Sequence, residues 1–146
     1  MANTQAMCTS FLGELMTATH NFGTAPVRAA TTADTFKAAL YLTTATVNAS
    51  TTAYSATNEV SGTGYTAGGV AVTNATAPTA TNSSSTAGTA YWTPSASITY
   101  TTVTLTTAFD TVLIYNSTQS NKAVSVHTFG SQTITAGTFT LTMPSN

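Results

Sequence analysis

Ile98-Thr99-Tyr100-Thr101-Thr102-Val103-Thr104-Leu105-Thr106 decides the fold. The run is built from β-branched and aromatic residues, and alternation divides it into two registers. Ile98, Tyr100, Thr102, Thr104 and Thr106 form one register, and Thr99, Thr101, Val103 and Leu105 the other. Apolar character passes from the first to the second midway, which predicts a bulge or a strand that changes sheet. Downstream, Asp110 to Tyr115 contains the unbroken apolar run Val112-Leu113-Ile114, the pattern of a strand covered on both sides. Lys122 to Phe129 alternates, with Val124 and Val126 inward and Ser125 and His127 outward. The polar stretch Asn116 to Asn121 joins the two as a hairpin. Thr133-Ile134-Thr135 leads through Ala136-Gly137 to a last strand with Phe139, Leu141 and Met143 toward the core, ended by Pro144.

Upstream, Phe36, Ala38, Leu40 and Leu42 fall on one face and Lys37, Ala39 and Tyr41 on the other, the pattern of a half-buried strand. A weak strand is expected near Thr46-Val47. Asn58 to Gly69 is so rich in glycine that it predicts a loop with unusual backbone angles. Val70 and Val72 restart a strand. Residues 74–89 are low-complexity Ala, Thr, Ser and Asn, a mobile surface loop, and Pro94 interrupts the chain after Tyr91-Trp92. Seven or eight short strands with a turn signal every eight to twelve residues predict a mainly β protein, an antiparallel β-sandwich of jelly-roll or immunoglobulin-like type.

The N-terminus differs. Cys8, Phe11, Leu12, Leu15 and Met16 recur at spacings of three and four, which predicts a short α-helix near residues 4–19. Gly13 costs that helix about 1 kcal/mol relative to Ala, so it depends on docking, either on its own sheet or in a neighbouring subunit. Asn21-Phe22-Gly23 is its terminator, and a polar connector with Pro26 follows. The chain therefore divides into residues 1–33, helix and connector, and residues 34–146, the β-sandwich domain.

Only Arg28, Lys37, Lys122, Glu14, Asp34, Glu59 and Asp110 carry charge, and roughly a quarter of the 146 residues are threonine. A soluble domain devotes about a quarter of its residues to charge. A net charge of −1 supplies no affinity for phosphate, so direct nucleic-acid binding is not expected. The single cysteine, Cys8, excludes an intrachain disulfide and gives no support to secretion. No basic n-region opens the chain and no transmembrane run occurs. Four Asn-x-Ser/Thr triplets carry no weight amid so much Ser and Thr.

Motifs for chemistry are sparse. Gly62, Gly64 and Ala67 fit a loose dinucleotide fingerprint, but Gly68-Gly69 follow in place of a helix, so the segment reads as a turn. Ser125, His127 and Asp110 permit a hydrolytic triad on paper. No nucleophile elbow or oxyanion hole accompanies them, and His127 reads as an exposed strand histidine. Cys8, His20, His127 and four carboxylates show no metal-ligand spacing, and Glu59 with Asp110 is the only pair available to a glycosidase. No catalytic, cofactor or metal site is expected. Thr138, Thr140 and Thr142 raise ice binding, but the threonines lack the fixed period of a solenoid and read as β-propensity. Trp92 reads as core. Tyr54 and Tyr65 divide between core packing and contact with a partner or a sugar.

Asp34-Thr35-Phe36-Lys37-Ala38-Ala39-Leu40-Tyr41-Leu42, the loop Tyr54 to Gly69 with Asn58-Glu59-Val60-Ser61-Gly62-Thr63-Gly64-Tyr65, and Val112-Leu113-Ile114-Tyr115-Asn116 resemble small β-rich virion structural proteins of tailed bacteriophages. The similarity covers most of residues 34–143. It implies a non-enzymatic capsid decoration or cement protein made in the host cytoplasm and lying on the virion. The expected partners are the major capsid protein and further copies of itself as a homo-oligomer, with no membrane, direct nucleic acid or cofactor. The alternative is a tail or head fibre or tip module that binds a receptor or glycan, and a hydrolase of Ser-His-Asp form is a third. Expected interface residues are Phe11, Leu12, Leu15, Met16, Tyr54 and Tyr65. Lys37, Glu59, Asp110 and Lys122 are expected to fix the register between neighbouring subunits.

Overall fold

A computed structural model describes residues 3–16, 19, 20, 22, 34–73, 79–80, 90–91 and 97–142. The protein is mainly β. Strands β1 (Ala6–Met7), β2 (Phe36–Leu42), β3 (Val70–Val72), β6 (Ile98–Asn116) and β7 (Lys122–Leu141) form one antiparallel sheet in the order β1-β7-β6-β2-β3. Strands β4 (Thr79–Ala80) and β5 (Ala90–Tyr91) pair with each other, and α1 covers Thr9–Met16. The proposed mobile loop at 74–89 lies outside the described residues except for Thr79–Ala80, and Trp92, Pro94, Met143 and Pro144 lie outside them altogether.

The four short strands expected between residues 98 and 143 are two long ones of 19 and 20 residues. What resembles strand ends in the sequence is a series of bulges. The β6–β7 register shifts between Tyr100 and Val103, between Val103 and Leu105, and at three further places. Thr102 (φ 54°) and Ala136 (φ 47°) take up left-handed backbone there. The exchange of apolar register within 98–106 thus marks a bulge, as expected. The bulges bend the hairpin. A straight strand would set Phe129 and Phe139 about 33 Å apart, yet their ring centroids are 4.9 Å apart, and both rings meet Phe109. The far half of the hairpin folds back until the Tyr100 hydroxyl donates to the Ala38 carbonyl at 2.7 Å. The core of Phe36, Leu40, Tyr100, Leu105, Phe109, Val112, Leu113 and Val126 lies inside this curl.

Strand β2 is more than half-buried. Ala39 and Tyr41, expected on an open face, are buried along with Ala38 and Leu40. Residues 43–69 cover that face and also complete the edge of β2, where Val60 N–H donates to Leu40 O and Leu42 N–H donates to Asn58 O. Thr46-Val47 is not a strand. The Asn3 side-chain carbonyl accepts from Val47 N–H and Thr4 N–H donates to Val47 O, so its backbone groups are used by the N-terminal segment.

The helix expected at 4–19 is confined to Thr9–Met16. Ala6 and Met7 instead pair with Val126 and Ser125, and Cys8 N–H donates to Val124 O. An open edge of β7 offers those backbone groups partners that a first helical turn leaves unmet. At the other end Thr19 N–H donates to Glu14 O at 2.9 Å.

Candidate functional site

The glycine-rich loop is organised by one carboxylate. Glu59 Oε2 accepts from the Tyr54 hydroxyl at 2.7 Å, and Oε1 accepts from the Tyr65 hydroxyl at 2.7 Å and Gly68 N–H at 2.8 Å. The Tyr65 oxygen accepts in turn from Leu40 N–H, a donor on the edge of β2. Tyr115 donates to Gly68 O, and Tyr41 donates to Ser55 O. Tyr54 stacks on Tyr115 at 4.7 Å and Tyr65 on Tyr100 at 5.9 Å. Five of the six tyrosines therefore surround a single loop.

Two glycines fit the loop to the sheet. Gly69 (φ 73°) lies so close to Ala38 O that a Cβ would collide with it, and Gly62 stands likewise against Thr104 O. Thr104 N–H donates to Thr63 O between them and the bent hairpin. The apparent dinucleotide fingerprint is thus a seam between loop and sheet, with its glycines placed for close backbone approach.

These hydroxyls are not poised for acid–base work. Burial pushes Tyr41 up to about 12, and burial with the Glu59 bond holds Tyr54 and Tyr65 further above the ordinary tyrosine value. Burial and the Glu14 charge push the Cys8 thiol up to about 11, away from the thiolate needed for attack.

A second polar cluster joins the N-terminal segment to the β6–β7 turn. Glu14 Oε1 accepts from Lys122 Nζ at 2.6 Å, and Oε2 lies 2.7 Å from His20 Nε2. Asn116, fully buried, accepts at Oδ1 from Thr118 and Gln119 N–H. Its amide nitrogen reaches both Asp34 Oδ2 at 2.7 Å and His20 Nδ1 at 2.9 Å. With two protons to give, Asn116 supplies one to each. His20 Nδ1 is then the acceptor and Nε2–H the donor to Glu14.

The paper triad does not assemble. Ser125 Oγ lies 3.0 Å from His127 Nε2, but Asp110 Oδ1 accepts from Asn3 Nδ2 and Thr111 Oγ1. His127 is half-buried, not exposed, and burial lowers its pKa. Among the described residues no group of three or more His, Cys, Asp or Glu could hold a metal ion.

Of the expected interface residues, Phe11 is buried against His20 and Phe22, whereas Leu15 is 44% exposed. The side chains of Leu12 and Met16 lie outside the described set. Tyr54 and Tyr65 are half-buried, with their hydroxyls committed to Glu59. Glu59, Asp110 and Lys122 each make contacts within the chain. None of the six described charged residues is exposed as a whole residue. Sequence reasoning missed Asn116 and the role of Glu59. Glu59 does leave one signal, a lone carboxylate in a glycine-rich loop flanked by Tyr54 and Tyr65. Comparison with family models, curated proteins and solved structures finds no match to this chain.

Proposed function

We propose that this chain is a non-enzymatic virion structural protein, a decoration or cement subunit that lies on a capsid lattice and contacts the major capsid protein and other copies of itself. One observation carries the proposal. The described charged side chains are drawn into internal contacts or partly covered, and the exposed described positions are occupied by neutral residues, threonine the commonest among them. Interfaces lose charge at their centres, and a repeating lattice lets modest neutral contacts add up. The two large apolar side chains found exposed, Met7 (54%) and Leu15 (44%), both belong to the N-terminal segment. They are the anchors proposed for the neighbouring subunit. The curled sheet with its overlying hairpin would act as the compact sandwich-like body that such a subunit needs.

The test is binding of purified protein to shells lacking it, with heat-induced shell rupture and copy number by mass spectrometry. The expected results are occupancy of hundreds per particle and delayed rupture, with Leu15→Lys weakening binding by about tenfold (about 1.4 kcal/mol) while remaining folded. No binding, together with absence from particles, overturns the proposal, and a handful of copies favours the tip module.

A further inference from the structure

The sheet ends unevenly. β3, on one side, is three residues long, whereas β7, on the other, runs for 20. β1 covers β7 only at Ser125 and Val126, with Cys8 N–H on Val124 O. Beyond that point β7 pairs with β6 on one side and with no described strand on the other. The middle of this outer row is irregular. The register shifts three times between Val103 and Thr111, and Ala136 is left-handed. Bulges of this kind turn an edge away from pairing. The last stretch is different. Ile98, Thr99 and Tyr100 meet Leu141, Thr140 and Phe139 in unbroken register, so residues 137–142, Gly-Thr-Phe-Thr-Leu-Thr, present a regular edge. Thr138, Thr140 and Thr142 are exposed on one face, and Phe139 and Leu141 are half-buried on the other. No Asp, Glu, Lys or Arg follows Lys122, and no proline lies between Pro94 and Pro144. The usual guards of an edge, a charge or a proline, are thus missing from a neutral, β-prone segment.

We propose that residues 137–142 pair antiparallel with the same segment of a second copy of this chain, closing a two-fold dimer in which the sheet runs on from one chain into the other. The occupant follows from the edge itself. An open strand edge is satisfied by another extended backbone that has free donors and acceptors of its own. Of the described strands, β1, β4 and β5 are two residues long and β3 is three. β6 has β7 on one side and β2 and Thr63 on the other. Among the described residues, the end of β7 alone offers a regular free edge of matching length. Its side chains also fit their own copies. A register centred on Thr140 sets Thr138 opposite Thr142 and Phe139 opposite Leu141 across the axis. Hydroxyls then face hydroxyls and apolar side chains face apolar ones, pairings that stabilise a sheet. A neutral row meets a neutral row, with no charge to desolvate. The contact is isologous, so the pair closes and does not grow. This names the surface through which two copies meet, and it holds whether or not the chain lies on a capsid.

The experiment is sedimentation velocity of the purified full chain at low ionic strength, from about 10 μM to about 1 mM, the range suited to a small interface. The expected result is a monomer at the lower end that passes to a dimer at the upper. Thr140→Lys, at an exposed position, sets two ammonium groups opposite each other on the axis. It is expected to weaken the dimer at least about fivefold with the far-UV dichroism unchanged. An equal mixture of Thr140→Lys and Thr140→Glu is expected to restore the dimer, which unfolded variants do not do. Leu15→Lys, away from this edge, is expected to leave the dimer intact, so failure here is separable from failure of the capsid anchors. A monomer throughout, a dimer that responds to Leu15→Lys and not to Thr140→Lys, a mixture without rescue, or open-ended polymers overturns the proposal.

Discussion

The 54–69 loop and the N-terminal segment cover the same sheet, and each is fixed by one carboxylate, but the donors differ. Glu59 is held by tyrosine hydroxyls and a backbone N–H, whereas Glu14 is held by an ammonium and an imidazole. Regular structure is not what makes a covering element secure. The loop has almost none, yet its aromatic rings and backbone bonds bind it from several directions. The N-terminal segment has a strand and a helix, and its far end depends on the contacts of Glu14 with Lys122 and His20. The loop is thus the more durable cover, and the two are expected to fail at opposite ends of the pH scale.

The comparison breaks most completely at Gly69. Gly69→Ala sets a Cβ on the Ala38 carbonyl at a positive φ and is expected to cost at least about 3 kcal/mol in urea unfolding. Gly130→Ala, which meets nothing within 4 Å, should stay within about 0.5 kcal/mol. Glu59→Ala leaves three donors unmet and is expected to cost about 2–4 kcal/mol, with faster proteolysis between residues 54 and 68. Tyr100→Phe removes a single buried bond and should cost about 1 kcal/mol by the same assay.

The pH effects are smaller and sharpen the contrast. Tyr41, Tyr54, Tyr65 and Tyr100 all have folded values raised by burial. Their contribution is full below the ordinary value of 10 and is lost as pH rises through the folded ones. Absorbance at 295 nm should show these tyrosines ionising late and together with unfolding, and independent ionisation near the ordinary value would refute the lock. The smallest effect belongs to His127. Burial lowers its folded value, so stability falls as pH drops below its ordinary 6.5. His127→Gln should give a shallower acid slope in chemical denaturation.

Local periodicity made the β6–β7 hairpin legible, including its bulge, because apolar alternation is set by each residue's own neighbours. It could not show that the strands run on through the bulges, since a bulge and a strand end leave the same broken pattern. Thr46-Val47 and the first turn expected of the helix failed for a shared reason. Asn3, Thr4, Ala6 and Met7 find partners far along the chain, and such tertiary bonds override propensity. The polar clusters were less legible still. Asn116 looks like an ordinary turn residue, as its bonds from the Thr118 and Gln119 amides make it, and only the fold brings His20 and Asp34 to its amide nitrogen.

The Glu14–Lys122 pair also has a consequence for synthesis. Glu14 and Lys122 are 108 residues apart in sequence, and β1 docks on Ser125 and Val126. The N-terminal segment leaves the ribosome before the hairpin, and its receptor does not exist until the hairpin has emerged. Until then Cys8 and Phe11 have no cover from the sheet. At about 5–20 residues per second that interval lasts several seconds, so a nascent chain stalled before Lys122 would offer a thiol that the finished protein conceals.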